Sequence, residues 1–275
     1  MTVSTTRVTM PDVQSRVDTR QIAIQKVGVR GVRYPVQVQI AGQPQHTVAD
    51  WELTVALPPE EKGTHMSRFI ALLEEYRQQA LDLHDFCTMA LQMLKLLDAQ
   101  EGEMQAAFPV FINKAAPVSQ VESLLDYELK WSVAAQADEA QPIKELCVSV
   151  VVPVTSLCPC SKEISDYGAH NQRSHLRVQL YIDPQQLQGF KLLSIIQGIE
   201  EQASCQLWGL LKRTDEKYVT EHAYDNPKFV EDLVRDVAVF LNARADVSAY
   251  RIEAENYESI HNHSAYAVVE SGFGV

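Results

Sequence analysis

The strongest constraint in this sequence is an order of periodicities that occurs twice. Residues 27–40 and 47–57 alternate apolar and polar side chains as strands do, with Val36, Val38 and Ile40 set against Gln37 and Gln39. Gly42, Gln43 and Pro44 supply turn chemistry between them. The spacing then lengthens to that of a helix: Phe69, Ile70, Leu72, Leu73 and Tyr76 form one stripe, with Glu74, Glu75, Arg77 and Gln78 opposite. A second stripe carries Leu83, Phe86, Met89, Ala90, Met93, Leu94 and Leu97, and its methionines read as core rather than as ligands. Strands near 104–113 and 121–135 close this half. The same order returns after residue 140. Residues 147–154 are a continuous apolar run, which predicts a strand buried on both faces. Leu176, Val178, Leu180 and Ile182 alternate with His175, Arg177, Gln179 and Tyr181. Helical stretches are predicted over 184–212 and 227–241, and final strands over 247–255 and 265–270.

This predicts an α+β chain of two tandem ββααββ units, with antiparallel sheets carrying helices on one face. Residues 1–20 lack periodicity and read as a mobile N-terminal arm. The first unit is placed at 21–140 and the second, with most of the candidate chemistry, at 141–275. Open antiparallel sheets have edges that need covering, so joining subunits into a barrel is expected. Acidic residues outnumber basic ones 36 to 24, a formal net charge of −12, which argues against a free-standing duplex-DNA binder. An anionic small molecule stays open, because local basic residues decide that. No apolar run reaches the roughly 20 residues of a membrane span, and the first twenty residues do not have the form of a secretory signal. Five cysteines, an odd and sparse number, suit reduced thiols, so a soluble cytoplasmic protein without membrane or nucleic-acid partners is expected.

The candidate chemistry centres on Cys158-Pro159-Cys160, with His170 twelve positions beyond Cys158. Thiolate and imidazole are transition-metal ligands, and a loop between strands can present both. The other reading is a proline-stiffened turn with buried thiols. The spacing does not favour both sulfurs on one ion, so Cys158 is assigned to a metal and Cys160 to substrate contact or redox chemistry; on spacing the reverse stays open. His170 is a ligand or a cap on the Gly168 turn. His261 and His263 offer further imidazoles, of which one is expected to enter a given site. Glu216 lies in a charge-rich stretch after a predicted helix and is either a ligand or part of a solvated helix end. Glu231 follows Pro227, read as a first helical position, where an acid complements the helix dipole without needing a function. There is no Gly-x-Ser-x-Gly elbow, P-loop or Gly-x-Gly-x-x-Gly, so phosphate contacts must come from side chains such as Lys162, Arg173, His175, Arg177 or Arg213.

Together, Ser156-Leu157-Cys158-Pro159-Cys160-Ser161-Lys162-Glu163 and Tyr167-Gly168-Ala169-His170-Asn171-Gln172-Arg173-Ser174 resemble the signature of type IB GTP cyclohydrolase. Gly31–Pro35, Lys62–Phe69, Leu210–Glu221 and Ala223–Asp232 extend the likeness from about residue 27 to the C-terminus. The resemblance implies the tunnelling fold and a homotetramer with active sites at subunit interfaces. It implies conversion of GTP and water to 7,8-dihydroneopterin triphosphate and formate, the entry to tetrahydrofolate and related pterins. It implies one divalent metal per site, manganese or zinc, with iron as a further candidate. Residue by residue, Cys158, His170, Glu216 and His261 resemble the ligand set, and Cys160 the second active-site cysteine. Glu231 resembles the guanine anchor, with Lys162 and Arg173 as further substrate contacts and a histidine, His170 or His261, moving protons. Gln206 departs from the glutamate expected there and is assigned no role. The rival readings are a tunnelling-fold deazapurine nitrile reductase using NADPH, and a non-catalytic metal or redox protein.

Overall fold

The computed structural model describes residues 14, 16–40, 42–138 and 140–273. Residues 1–13 and 15 of the expected arm lie outside these; in its described part, Asp18 N–H donates to Glu60 and Lys62 N–H donates to Arg16. The first half runs β1 (Ile24–Ile40), β2 (Gln43–Leu57), α1 (Met66–Tyr76), β3 (Ala80–Leu81), α2 (Leu83–Leu97), β4 (Glu101–Ala115) and β5 (Glu122–Gln136). The second runs β6 (Ile143–Leu157), α3 (Pro159–Ile164), β7 (Asn171–Tyr181), a 3-10 turn (Pro184–Gly189), α4 (Leu192–Glu200), β8 (Cys205–Gln206), α5 (Arg213–Asp225), α6 (Val230–Asn242), β9 (Ala249–Asn256) and β10 (Ala265–Ser271).

Both halves join one sheet in the order β10-β9-β7-β6-β5-β4-β2-β1-β3, with β8 added beside β6. All the long pairings are antiparallel, and β5 pairs directly with β6, so the seam between the units is continuous sheet. Each long-strand quartet with its helices is the ββααββ arrangement the periodicities predict. Period-two alternation sends Met104, Ala106, Phe108 and Val110 of β4 and Leu129, Trp131 and Val133 of β5 to the helical side. There they meet Phe86, Met89 and Met93 of α2, all fully buried, with Trp131 edge-on to Phe86 and Phe108 at 5.5 and 5.1 Å. The methionine stripe is core. Val148, Val150, Val152 and Val154 of β6 continue this layer under Ile195, Ile196 and Ile199 of α4 and Leu233, Val234 and Val237 of α6.

Four expectations need correction. The strand over 147–154 is buried on one face only; Val151 and Pro153 are half-exposed, because a single chain lays helices on one side of its sheet. Gln43 and Pro44 already belong to β2, since Ile40 pairs with Gln43. The stretch 184–212 is not one helix. It ends at Glu200, and the following residues cross to the first half, where Trp208 Nε1–H donates to Ala115 and Leu210 N–H to Ser123 Oγ. Gly209 permits this: a Cβ there would lie 2.4 Å from the Leu124 carbonyl oxygen. Finally, α6 starts at Val230, three residues after Pro227, and Asp232 rather than Glu231 accepts the Phe229 N–H.

The crossing segment begins with a buried ion pair. Lys114 Nζ and the Tyr127 hydroxyl both donate to Glu200 Oε1, at 2.7 and 2.6 Å, and Lys114 also stacks 5.1 Å over Trp208. Burial pulls the Lys114 ammonium below its usual range and pushes the Tyr127 phenol up. Breaking a buried pair leaves one charge without its counterion. Lys114→Met is expected to destabilise the chain by about 3 kcal/mol, read from urea unfolding.

Candidate active site

The site is built from the mouth of the β6–β7 hairpin. Leu157 pairs with Asn171, so the thirteen residues 158–170 form a closed loop above the sheet. Pro159 opens α3, and Cys158 is its N-cap, the sulfur accepting the Ser161 N–H at 3.5 Å. Gly168, at φ +118°, takes a conformation that side chains disfavour and turns the chain back. The loop is then tied across its base. Cys158 N–H donates to the His170 carbonyl at 3.1 Å, and Ser161 Oγ accepts from His170 N–H at 3.2 Å while donating to the Cys158 carbonyl at 3.1 Å. Cys158 and His170 are therefore neighbours along the backbone. Cys160, two residues on, is exposed.

The helices bring other candidates towards this loop. Leu157 accepts the Lys228 N–H at 3.1 Å, which ties the run-in to α6, and hence Glu231 in its first turn, to the residue before Cys158. Glu231 is exposed, and its carboxylate has no partner among the described residues. Lys162 donates to the Tyr224 carbonyl and sits 4.3 Å over the Tyr224 ring, so it clasps α3 to the end of α5. Glu216 lies in the first turn of α5, exposed, beside a fully buried neighbour. That neighbour, Asp215, accepts from Val118 N–H, Ser119 N–H, Ser119 Oγ and Lys212 N–H at 2.6–2.9 Å. Burial alone would raise its pKa, but the Ser119 hydroxyl and the three backbone donors outweigh burial and hold it far below its ordinary 3.8. The stretch expected to follow a helix is instead the start of one, docked through Asp215, while Glu216 itself stays exposed.

On β7, Arg173, His175 and Arg177 share the face opposite the helices. The Tyr257 hydroxyl lies 3.3 Å from His175 Nδ1 with its ring edge-on, and burial with the nearby Arg173 charge lowers the His175 pKa. His261 and His263 lie in the connection between β9 and β10, not in a strand. Their rings stack at 5.0 Å.

Three contributors were given no role from the sequence, although Gln172 and Asp215 lie within the family-like segments. Gln172, 7% exposed, places Oε1 2.9 Å from His170 Nδ1. Glu258 places Oε2 3.9 Å from the same nitrogen, and both side chains of that pair are only 14% exposed. Asp215 is the third. For Glu258, proximity in sequence to His261 was the only clue. Among the described residues, no three His, Cys, Asp or Glu side chains converge closely enough to hold a metal ion. Thiolate and imidazole are chemically suited to a transition metal, and the loop joins Cys158 to His170 at the backbone, while Glu216 and His261 are exposed on separate segments. A cavity of about 740 Å³ lies between the helical layers, lined by Ile40, Trp131, Phe190 and Leu193, and contains none of these residues.

Residues 10–267 match the model of the type I GTP cyclohydrolase FolE2 family. The chain belongs to this family. GTP cyclohydrolase FolE2 of Bordetella petrii is 62% identical over 262 residues, covering 95% of this chain and 96% of that protein. Those of Janthinobacterium sp. (strain Marseille) and Burkholderia multivorans are 58% and 57% identical, each over 95% of this chain and 94% of the relative. Among solved structures, the uricase of Arthrobacter globiformis is similar over 90% of this chain and 92% of its own, at 8% identity and a TM-score of 0.47. Membership makes the protein a GTP cyclohydrolase, as the motifs implied, and sets aside the nitrile reductase and the non-catalytic thiol protein. No described helix is long and apolar enough to cross a membrane.

Proposed function

We propose that the chain performs the type IB reaction, GTP and water to 7,8-dihydroneopterin triphosphate and formate, in the cytoplasm as a homotetramer. Two open features support assembly. The outer edge of β10 is unpaired among the described residues, and that of β1 is covered only at Gln37 and Val38. A site at a subunit interface also accounts for Glu216 and His261 standing apart from Cys158 and His170 within one chain. The observation that carries the reading is the backbone-bonded pairing of Cys158 with His170 in a chain of this family.

Cys158 and His170 would hold a divalent ion, with Glu216 and His261 completing its ligands; mixed soft and hard donors suit manganese, zinc or iron. Such an ion, when bound, lowers the pKa of water towards neutrality and so supplies hydroxide for attack at C8 of the purine. Two waters enter, one opening the imidazole ring and one releasing formate; ribose opening, rearrangement and closure to the pterin expel one water. Where His261, exposed at the β9–β10 connection, is not engaged by the ion, its imidazole can move protons instead. Cys160 contacts substrate. The unpartnered Glu231 carboxylate accepts the guanine ring N–H and exocyclic amine, a two-point match. Arg173, with His175 and Arg177 on the same strand face, meets the triphosphate, and Lys162 holds the loop to α5 unless substrate draws it away.

Metal-loaded protein incubated with GTP is expected to yield formate and a fluorescent pterin in equal amounts. Formate without pterin, or neither, overturns the assignment. Glu231→Gln is expected to lower kcat/KM for GTP by roughly 10²–10³-fold, since the amide presents a donor where the guanine also donates. Its melting temperature should be unchanged, because Asp232 caps the helix.

A further inference from the structure

We propose that Gln172 is a positioning residue that holds His170 in a single ring tautomer, with the proton on Nδ1 and the lone pair on Nε2. The consequence for metal binding rests on the reading of His170 as a ligand; the tautomer itself does not.

Gln172 is the second residue of β7, and the alternation of that strand turns it to the same side as Ser174 and Leu176. With 7% of its surface exposed, its amide has little water to bond and little room to turn. Its Oε1 lies 2.9 Å from His170 Nδ1. An amide rotated by half a turn would instead offer an N–H to a bare Nδ1. The second neighbour decides between the two. Glu258 Oε2 stands 3.9 Å from the same ring nitrogen, and a lone pair there would face a carboxylate. A proton on Nδ1 is attracted by both oxygens. The backbone of His170 is held as well, by Ser161 Oγ at its N–H and by Cys158 N–H at its carbonyl. The ring is thus fixed at its root and at Nδ1. Among the described residues Nε2 is the one ring nitrogen without a partner.

A metal-binding histidine needs its free lone pair on a known nitrogen, and the acceptor behind its other N–H sets that choice. The buried amide makes the choice before any ion arrives, and it does so without adding charge. Gln172→Glu keeps the acceptor; Gln172→Met keeps the volume and removes it.

The test uses nitrogen-15 NMR of the histidine rings in metal-free full-length protein, with His170 assigned by its loss in His170→Gln, together with zinc affinity measured by chelator competition. Wild type and Gln172→Glu are expected to show only the Nδ1–H form. Gln172→Met is expected to show both forms and to bind zinc roughly 10–100-fold more weakly. An Nε2–H ring in the wild type, or a Gln172→Met protein with unchanged tautomer and affinity, overturns the proposal. If Gln172→Met does not fold, the wild-type and Gln172→Glu spectra still decide it. Zinc affinity unaffected by Cys158→Ser would instead overturn the metal site, leaving the tautomer result to stand or fall separately.

Discussion

Cys158→Ser is expected to reduce formate release from GTP on the order of 10³-fold while leaving the chain folded. The size follows from the role: a ligand whose loss removes the ion removes the activated hydroxide, and bulk water is a far weaker nucleophile at neutral pH. The fold should survive because the loop is closed by main-chain bonds. Cys158 N–H to His170 and Ser161 Oγ to the Cys158 carbonyl do not involve the sulfur, whose one bond, from Ser161 N–H at 3.5 Å, a serine oxygen can accept. Metal content measured alongside activity separates the two cysteines. Cys158→Ser should lose the ion, whereas Cys160→Ser should keep it and lose turnover. A Cys158→Ser protein with full activity, or with full metal content, would show that the assignment of the two sulfurs is reversed or mistaken.

Asp215→Ala is expected to lower the melting temperature by roughly 10 °C and to reduce activity with it. Four donors would be stranded in a dry site, and α5 would lose its attachment to the hairpin of the first unit at Val118 and Ser119. Glu216 is the next residue along, so a loosened helix start displaces a proposed ligand. The pH dependence has a definite sign. A carboxyl whose folded pKa is depressed stabilises the fold above its ordinary 3.8 and loses that contribution as pH falls through the lower, folded value. The gap in melting temperature between wild type and Asp215→Asn should therefore be full above about pH 4 and shrink below it. A gap that stays constant into strong acid would mean that the carboxylate is not what those donors hold.

What could be read in advance had a periodic or chemical signature. Val36, Val38 and Ile40, or Leu176, Val178 and Leu180, announce strands because one face of the sheet is dry and the other is not. The pairing of Cys158 with His170 was legible because both sit in one hairpin loop, where short separation in sequence enforces short separation in space. α5 had no such signature. Only Asp215 and Ala223 of its thirteen residues are buried, so it shows no apolar stripe, and its stability comes from a polar anchor to another part of the chain. The run after Glu200 does not continue the helix, because Trp208 and Leu210 bond to Ala115 and Ser123 of the hairpin between β4 and β5. His261 and His263 lie in the connection between β9 and β10, where no periodic pattern places them.

By itself the sequence determined the tandem ββααββ order, the side of each strand that faces the core, the loop carrying Cys158 and His170, and the family. The first three follow from local pattern, period two, period 3.6 and short separation along the chain; the family follows from the contiguous motifs. Only the tertiary structure decided that Asp215 is a buried anchor, that Gln172 and Glu258 back His170 Nδ1, and that Lys162 is engaged by Tyr224. These are contacts between residues far apart in sequence or on different elements, made by single polar side chains. A lone polar residue leaves no periodic trace, because its energy lies in one partner and not in a repeated face.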